Sequence, residues 1–400
     1  MNKVKLGDLV EFQRGYDLPK NKIQSGKYPV ITSNGILGYH NEYKSGPSVV
    51  IGRSGTTGNP QLINEKFWAH NTTLFIKDFK GNDIKYIYYL LLNTDINKMK
   101  SGSNIPTLNR NHLHPISINA TTDKILQRRI ANTLSNIDNK IELNNKINDE
   151  FEAMAKTIYD YWFLQFEFPN EEGKPYKSSG GKMVWNEELK REIPEGWEVN
   201  KLEEYISIIR GVNYKRDDVL SNKETNYIPL IKSNNIQNGQ ILFDDIIFVP
   251  QKLVNKNQIL SKNSVLMTMS SGSKEHMGKT TIIYDSLDYT FGAFCSKIEI
   301  IEDMRCFLSI FFRSALFKTL IDNITSGTNI NNISNEHLYN IKMTIPNEKV
   351  LQKFEDILNP ILDKQGIIQK ENQELTSLRD FLLPLLMNGQ VGFKGDKAEG

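Results

Sequence analysis

Residues 122–163, TDKILQRRIANTLSNIDNKIELNNKINDEFEAMAKTIYDYWF, hold neither proline nor glycine and carry apolar side chains at helical spacing, so they predict one long helix. Ile130, Leu134, Ile137, Ile141, Phe151, Ala155, Ile158 and Trp162 step by alternating fours and threes, with Asn144 and Asn148 completing the series. That is a coiled-coil seam, in which a buried asparagine sets register and partner at some cost in stability. At 1.5 Å per residue, about 40 residues make a rod of about 60 Å, so the stretch reads as a spacer.

A second such stretch lies at residues 349–387, with Leu351, Phe354, Leu358, Ile361, Gln365, Ile368, Asn372, Leu375, Leu382 and Leu386 in the seam. An offset of 224 lays it on the first and places Asn372 opposite Asn148; the match of Gln127 to Gln352 prefers 225, which leaves the register open by one residue. Pro360 lacks an amide proton and crowds the preceding turn, so a short helix, a break and then the rod are expected. Helices that bury these seams against each other in an internally repeated chain run antiparallel and need no second copy of the chain.

The repeat extends upstream of both helices. Lys5-Leu6 and Arg14-Gly15 are matched by Lys201-Leu202 and Arg210-Gly211 at an offset of 196, and Pro29, Ile31, Ser33 and Asn34 by Pro229, Ile231, Ser233 and Asn234 at 200. Ser48-Val49 with Ser54-Gly55 answers Ser264-Val265 with Ser271-Gly272 at 216 to 217; Ser101-Gly102-Ser103-Asn104-Ile105 answers Ser326-Gly327-Thr328-Asn329-Ile330, and His112-Leu113 answers His337-Leu338, at 225. Each half consists of short β-branched runs between Gly, Asn, Ser and Pro clusters. The fold class expected is α+β: two loop-rich α/β domains separated by two long antiparallel coiled-coil helices in a pseudo-two-fold internal repeat. The boundaries are 1–122 and 200–346 for the domains, 123–170 and 347–390 for the helices, 171–199 for an ordered connector anchored by Trp185 and Trp197, and 391–400 for a disordered tail.

Composition narrows the class. Of the 400 residues 39% are hydrophobic, enough for a core in each domain. No apolar run approaches the roughly 18 residues of a membrane span, and MNKVKLGDLVEF lacks the apolar core of a secretory signal, so a cytoplasmic protein is expected. Cys295 and Cys306 are too few for a disulfide framework or a four-ligand metal site and read as packing residues. The net charge of +2 does not announce nucleic-acid binding, but residues 1–122 hold 15 basic and 8 acidic groups, against 16 and 15 in residues 200–346. The basic surplus sits in the first domain.

Gly272 to Thr280, GSKEHMGKT, resembles a phosphate loop with the wrong spacing, and Thr281 to Tyr284 continue as a strand where a helix N-terminus is needed. Phe291-Gly292-Ala293-Phe294 does not make a methyl-donor loop, and no motif that orients a target amine is present. His112 and His114 have no carboxylate or cysteine cluster beside them to complete a metal site. No catalytic constellation emerges. What remains are polar, glycine-punctuated loops at matching places: Thr32, Ser33, Asn34; Arg53, Ser54, Thr56, Thr57; His70, Asn71; Ser103, Asn104 and Arg110 in the first half, and Lys232, Ser233, Asn234; Ser271, Ser273, Lys274; Thr328, Asn329 and Asn331 in the second. Such side chains pair with base edges and phosphates, and glycine lets the backbone approach a duplex; the plainer reading is that they make turns.

The chain resembles the DNA-specificity subunit of type I restriction–modification systems. The stretches that carry the resemblance are QRRIANTLSNIDNKIELN (127–144), AKTIYDYWFLQFEF (155–168), KPYKSSGGKMV (174–184), IPEGWEV (193–199), the paired Ser-Gly-Ser/Thr-Asn loops and LMNGQV (386–391). The resemblance implies two target-recognition domains, each reading one half of a bipartite site in double-stranded DNA. It implies spacer helices that dock two adenine-N6 methyltransferase subunits, and restriction subunits that join the assembly. S-adenosylmethionine, ATP and Mg2+ would sit on those partners; no cofactor, metal, membrane or catalytic role is expected for this chain. The first domain departs from the pattern by lacking a lead-in like Pro194 to Trp197, so its edge is expected to be loose or completed by the C-terminal segment. A coiled-coil protein scaffold and, more remotely, an ATP-dependent enzyme built on residues 272–280 are the alternatives.

Overall fold

The computed structural model describes residues 1–23, 26–56, 58–94, 96, 107–326 and 332–393. They form two compact units, Met1–Asn144 with Glu371–Gly400 and Asn145–Lys370. The tail from 394, expected to be disordered, lies outside the described residues. Among the described residues no helix is long and apolar enough to cross a membrane.

The first unit opens with β1 (Asn2–Lys5), the single turn α1 (Leu6–Leu9) and β2 (Glu11–Arg14). It continues through β3 (Tyr28–Thr32), β4 (Gly35–His40), β5 (Ser48–Gly52), β6 (Pro60–Ile63), β7 (Trp68–Ala69) and β8 (Thr73–Asp78). Then come α2 (Ile84–Asn93), α3 (Arg110–Leu113), β9 (Ser117–Ala120) and the start of α4 (Lys124–Tyr159). One sheet has the order β2, β8, β5, β6, a second the order β4, β3, β7, and β1 pairs with β9. The sequence SVVIG explains why β5 is central: β-branched residues tolerate cover on both faces, and the strand is buried throughout. At the start of α2 the Asp83 carboxylate accepts the Tyr86 N–H, satisfying an amide that the helix cannot.

The second unit contains the rest of α4, whose end widens into a π turn over Asp160–Leu164, and the hairpin β10 (Met183–Asn186) and β11 (Arg191–Pro194). Its domain runs through β12 (Glu198–Lys201), β13 (Ile206–Arg210), β14 (Tyr227–Ile231), β15 (Ile236–Gln237), β16 (Gln240–Ile241), β17 (Ile247–Pro250) and β18 (Ser264–Thr268). After these come β19 (Thr280–Ile283), β20 (Thr290–Phe291), β21 (Cys295–Ile300), α5 (Arg305–Phe311), α6 (Ala315–Ser326), α7 (Asn335–Tyr339), β22 (Lys342–Ile345) and α8 (Glu348–Met387). The sheets β13, β21, β18, β19 and β17, β14, β20 restate the two sheets of the first unit, and β12 pairs with β22 as β1 does with β9. The fold class is therefore the α+β repeat that the sequence predicts, and both cysteines are buried and free. Trp197 is buried against Phe163, Phe166 and Phe168 and anchors the connector. Trp185 does not: it is exposed, and its indole N–H donates to Glu187.

Two helical segments close each domain. In the first unit Ile130, Ala131 and Leu134 from α4 and Leu386 and Met387 from α8 join one core with Leu6 and Tyr86. Around them, Gln127 donates to Asn82 and to the Thr121 carbonyl and accepts the Asp83 N–H, a buried polar clasp with every group satisfied. Gly389 packs on Met1, and Arg129 lies over the Phe393 ring, so the C-terminal segment completes the N-terminal edge. In the second unit Phe354, Leu358 and Leu362 from α8 and Ala155, Tyr159, Trp162 and Phe163 from α4 share a core with Phe307.

These burials settle the register at 224. Ile130, Ala131 and Leu134 correspond to Phe354, Glu355 and Leu358, and Trp162 and Phe163 to Leu386 and Met387, all buried. Of the remaining seam residues Ile368 is buried, while Ile137, Ile141, Asn148, Phe151, Ile158, Ile361, Leu375 and Leu382 are half-buried; Leu362, not Ile361, fills the core. Asn372 meets Asn144 rather than Asn148: Asn144 Nδ2 donates to Asn372 Oδ1 at 2.9 Å and to Glu371 at 2.8 Å. In an antiparallel pair a residue's partner moves down one helix as it moves up the other, so equivalence at a constant offset does not make two residues neighbours. Arg379 reaching Asp138, with 379 above 372 and 138 below 144, has the same sense.

Pro360 does not break α8, which runs unbroken from Glu348 to Met387. The lost hydrogen bond is outweighed by packing on both sides. Glu355 accepts the N–H groups of Cys306 and Phe307 at the start of α5, Asn359 accepts from Arg305, and Leu358 and Leu362 are buried.

Candidate nucleic-acid interface

The polar loops of the first domain converge because their backbones bond to one another. The Tyr16 N–H donates to the Ala69 carbonyl, His70 to Ile31, Arg53 and Ser54 to Thr72, Gly58 to Gly52, and Leu108 to Arg53. Four loops thus share one end of the domain: the turn after β3, the loops after β5 and β7, and the segment entering α3. Gly15 is required there, since a Cβ would stand 2.0 Å from the His70 carbonyl oxygen.

The second domain repeats these bonds one for one. Val212 donates to Phe291, Gly292 to Ile231, Met269 and Ser270 to Phe294, Gly278 to Thr268, and Ile333 to Met269. Gly211 plays the part of Gly15, with a Cβ position 2.2 Å from the Gly292 oxygen. The bonds align Ser54 with Ser270, one residue from the Ser54 and Ser271 match of the sequence. They also identify Gly292-Ala293-Phe294 as the counterpart of His70-Asn71-Thr72. The phosphate-like stretch is a hairpin: β18 and β19 pair antiparallel, and β19 follows where a phosphate loop needs a helix.

Within the clusters the candidate side chains divide. Asn34, Thr56, Arg110 and Asn234 are exposed; Ser33, Arg53, Ser54, Lys232, Ser233, Ser271 and Ser273 are half-buried at the loop surface. Others are occupied by the fold. The Thr32 hydroxyl donates to Gly35 and accepts from Asn34; the His70 ring nitrogens lie 3.2 Å from Thr72 Oγ1 and 3.3 Å from the Leu18 carbonyl; Asn71 donates to Asp17. Thr57, Ser103, Asn104, Thr328, Asn329 and Asn331 lie outside the described residues, as does the side chain of Lys274. His114 has a structural role: its Nε2 accepts the Phe12 N–H, and burial, then the Lys80 and Arg110 charges, lowers its pKa. His337 caps α7, accepting the Ser334 N–H at Nδ1. Among the described residues no group of His, Cys, Asp and Glu could hold a metal ion.

Three residues at the clusters were not among the candidates. Arg14 and Arg210 end β2 and β13 beside the loops, and the Arg-Gly repeat was the signal for them. Phe294 is 64% exposed although it sits in a strand-connecting loop, an unusual position for a large ring.

Two loop-rich domains with the same sheets and matched polar loop clusters define an internally repeated protein. The model for the type I restriction modification DNA specificity domain matches residues 1–153 and 194–377, and the chain belongs to that family. It is 31% identical over 204 residues to the type I restriction enzyme EcoKI specificity subunit of Escherichia coli (strain K12), a match over 50% of this chain and 44% of that protein. With the MjaIX specificity subunit of Methanocaldococcus jannaschii it is 26% identical over 351 residues, 85% of this chain and 75% of the relative. The matches to the E. coli and Salmonella potsdam relatives thus span under half of their lengths. A crystal structure of the type I restriction-modification system S subunit from M. genitalium has the same fold, with a TM-score of 0.58 and 19% identity over 96% of this chain and 95% of that one.

Proposed function

We propose that this chain is the non-catalytic, sequence-reading subunit of a cytoplasmic type I restriction–modification assembly, each domain reading one half of a bipartite DNA site. The observation that carries the proposal is the recurrence of one backbone framework with a different surface on it: Arg53 lies half-buried at the surface where Met269 is buried in the core, and Thr72 is replaced by the exposed ring of Phe294. A frame that is kept while its outward groups change suits two readers of different sequences. Half-buried Ser, Arg and Lys at loop surfaces supply donors for phosphates and base edges, and backbone close to the surface lets the duplex approach.

The exposed faces of α4 and α8 would dock two adenine-N6 methyltransferase subunits, and restriction subunits would join through them. Methyl donor, ATP and Mg2+ would be held by those partners. Nothing in the reading requires a second copy of this chain. Selection of bound duplexes from a random pool, with the chain assembled with its methylation subunits, is expected to return two short half-sites at a fixed gap. One continuous site, or no enrichment, would overturn the proposal.

A further inference from the structure

Comparison of the two loop clusters separates groups that differ between the domains from groups that recur. Gly15 and Gly211 recur because a side chain would strike the neighbouring backbone. The arginines before them have no such reason. Arg14 and Arg210 hold the same register place, one residue before glycines whose N–H groups donate to the equivalent carbonyls of Thr73 and Cys295. Both are exposed. The Arg14 guanidinium makes a surface pair with Asp17 at 3.3 Å, and the position equivalent to Asp17 is Asn213, so this ion pair does not explain why arginine stands twice. Exposed pairs of that kind contribute little to stability.

Both arginines nevertheless face their clusters. Asp17, the partner of Arg14, also accepts from Asn71 in the loop after β7. Arg210 Nη2 points at the Ile333 carbonyl at 3.5 Å, on the segment that pairs with Met269.

We infer that Arg14 and Arg210 are the phosphate anchors of the two domains: the sequence-independent contacts that seat each loop cluster on the DNA backbone. The inference rests on the proposed reading that the two domains recognise different half-sites. Groups common to both domains cannot carry what differs between the half-sites; they serve what the half-sites share, which is the sugar–phosphate chain. An arginine at a strand end is suited to this, since its guanidinium forks onto phosphate oxygens while the strand holds its Cα in place. The groups that differ between the clusters and reach the surface, among them the half-buried Arg53 of the first and the exposed Phe294 of the second, are left to read sequence.

The test uses the chain assembled with its methylation subunits, with Arg14→Gln, Arg210→Gln and the corresponding lysine variants. Binding is measured from 0.05 to 0.3 M salt on a duplex carrying the selected site and on an unrelated duplex of equal length. Each glutamine variant is expected to bind both duplexes about fivefold more weakly at 0.15 M salt, and to flatten the slope of log affinity against log salt by about 0.9. The lysine variants should keep the slope, and the selected sequence should not change. An unchanged slope, or weakening confined to the selected duplex together with a relaxed half-site, overturns the inference. Melting temperatures equal to wild type show that the variants fold. If the wild-type assembly selects no bipartite site, the proposed function fails by itself, and the slope on the unrelated duplex still decides whether the arginines are anchors.

Discussion

Gly15→Ala tests whether close backbone approach builds the first loop cluster. The new methyl group would lie 2.0 Å from the His70 carbonyl oxygen and 2.7 Å from that of Ala69, where ordinary contact begins at 3.4 Å. Neither atom is the end of a flexible side chain, so β2 and the loop after β7 must part by about 1.4 Å, the difference between 3.4 and 2.0 Å. That movement takes the Tyr16-to-Ala69 bond, 2.8 Å long, and the Gly15-to-Thr73 bond, 3.0 Å long, beyond hydrogen-bonding range. Two lost backbone bonds cost about 2–3 kcal/mol. The first unit combines residues 1–144 with the segment from 371; in a body of that size the loss lowers its melting transition by about 4–12 °C. Gly46→Ala is the control, because nothing lies within 4 Å of its Cβ position and its backbone is not left-handed; it should melt at or slightly above wild type. Calorimetry of the full chain reads both, and duplex selection should show the first half-site degraded with the second intact. If Gly15→Ala melts with Gly46→Ala, the reasoning from close approach is wrong.

Asn144→Leu should destabilise the first unit by about 1–3 kcal/mol in urea unfolding, because Glu371 and Asn372 lose a buried donor, whereas the double change Asn144→Leu with Asn372→Leu should recover much of that loss; equal losses would refute the coupling. Gly366→Ala should destabilise the second unit although alanine favours helix, since its Cβ would meet Tyr284 Cβ at 2.7 Å; a stabilised variant would show that propensity outweighs packing there. Burial pushes the Glu152 carboxyl up, but Arg313 and Lys156 outweigh it and hold its pKa below the usual carboxylate value. A depressed folded pKa contributes stability above the unfolded value, near 4.5, that is lost as pH falls through the folded one. Arg313→Met should therefore lower the urea midpoint of the second unit at pH 7, with the gap to wild type narrowing below pH 4.5; a gap that does not depend on pH would refute the assignment.

What the sequence disclosed follows from how local each signal is. The helix over α4 was legible because 36 residues without Pro or Gly leave few competing structures. The repeat was legible because strands and their glycines recur in order. Pro360 was misread because the groups that keep α8 continuous, Arg305 and the amides of α5, are distant in sequence. The offset of 224 makes Asn372 the counterpart of Asn148 in the repeat but did not disclose its contact with Asn144, because offset and contact are different relations in an antiparallel pair. Leu362 in place of Ile361 is a one-residue rotation of the buried face, set by the aromatic core it meets rather than by heptad spacing.

The candidate site was legible as a set of loops but not as a set of free side chains, for a physical reason. Turn-forming residues and DNA-contacting residues are the same types, so only tertiary bonds show which of them the fold already uses. His70 looked suited to a ligand, yet both ring nitrogens face partners within the domain. At the equivalent place the second domain has Gly292, and its N–H still donates to Ile231 as that of His70 does to Ile31. The framework therefore depends on the backbone at this position and tolerates either side chain. Positions 53, 71 and 72 and their counterparts show the same separation: the main chain bonds alike in both domains while the side chains differ in charge, size and polarity. The main-chain frame persists through changes of side chain at these positions, because its backbone hydrogen bonds are made by groups that every residue there carries.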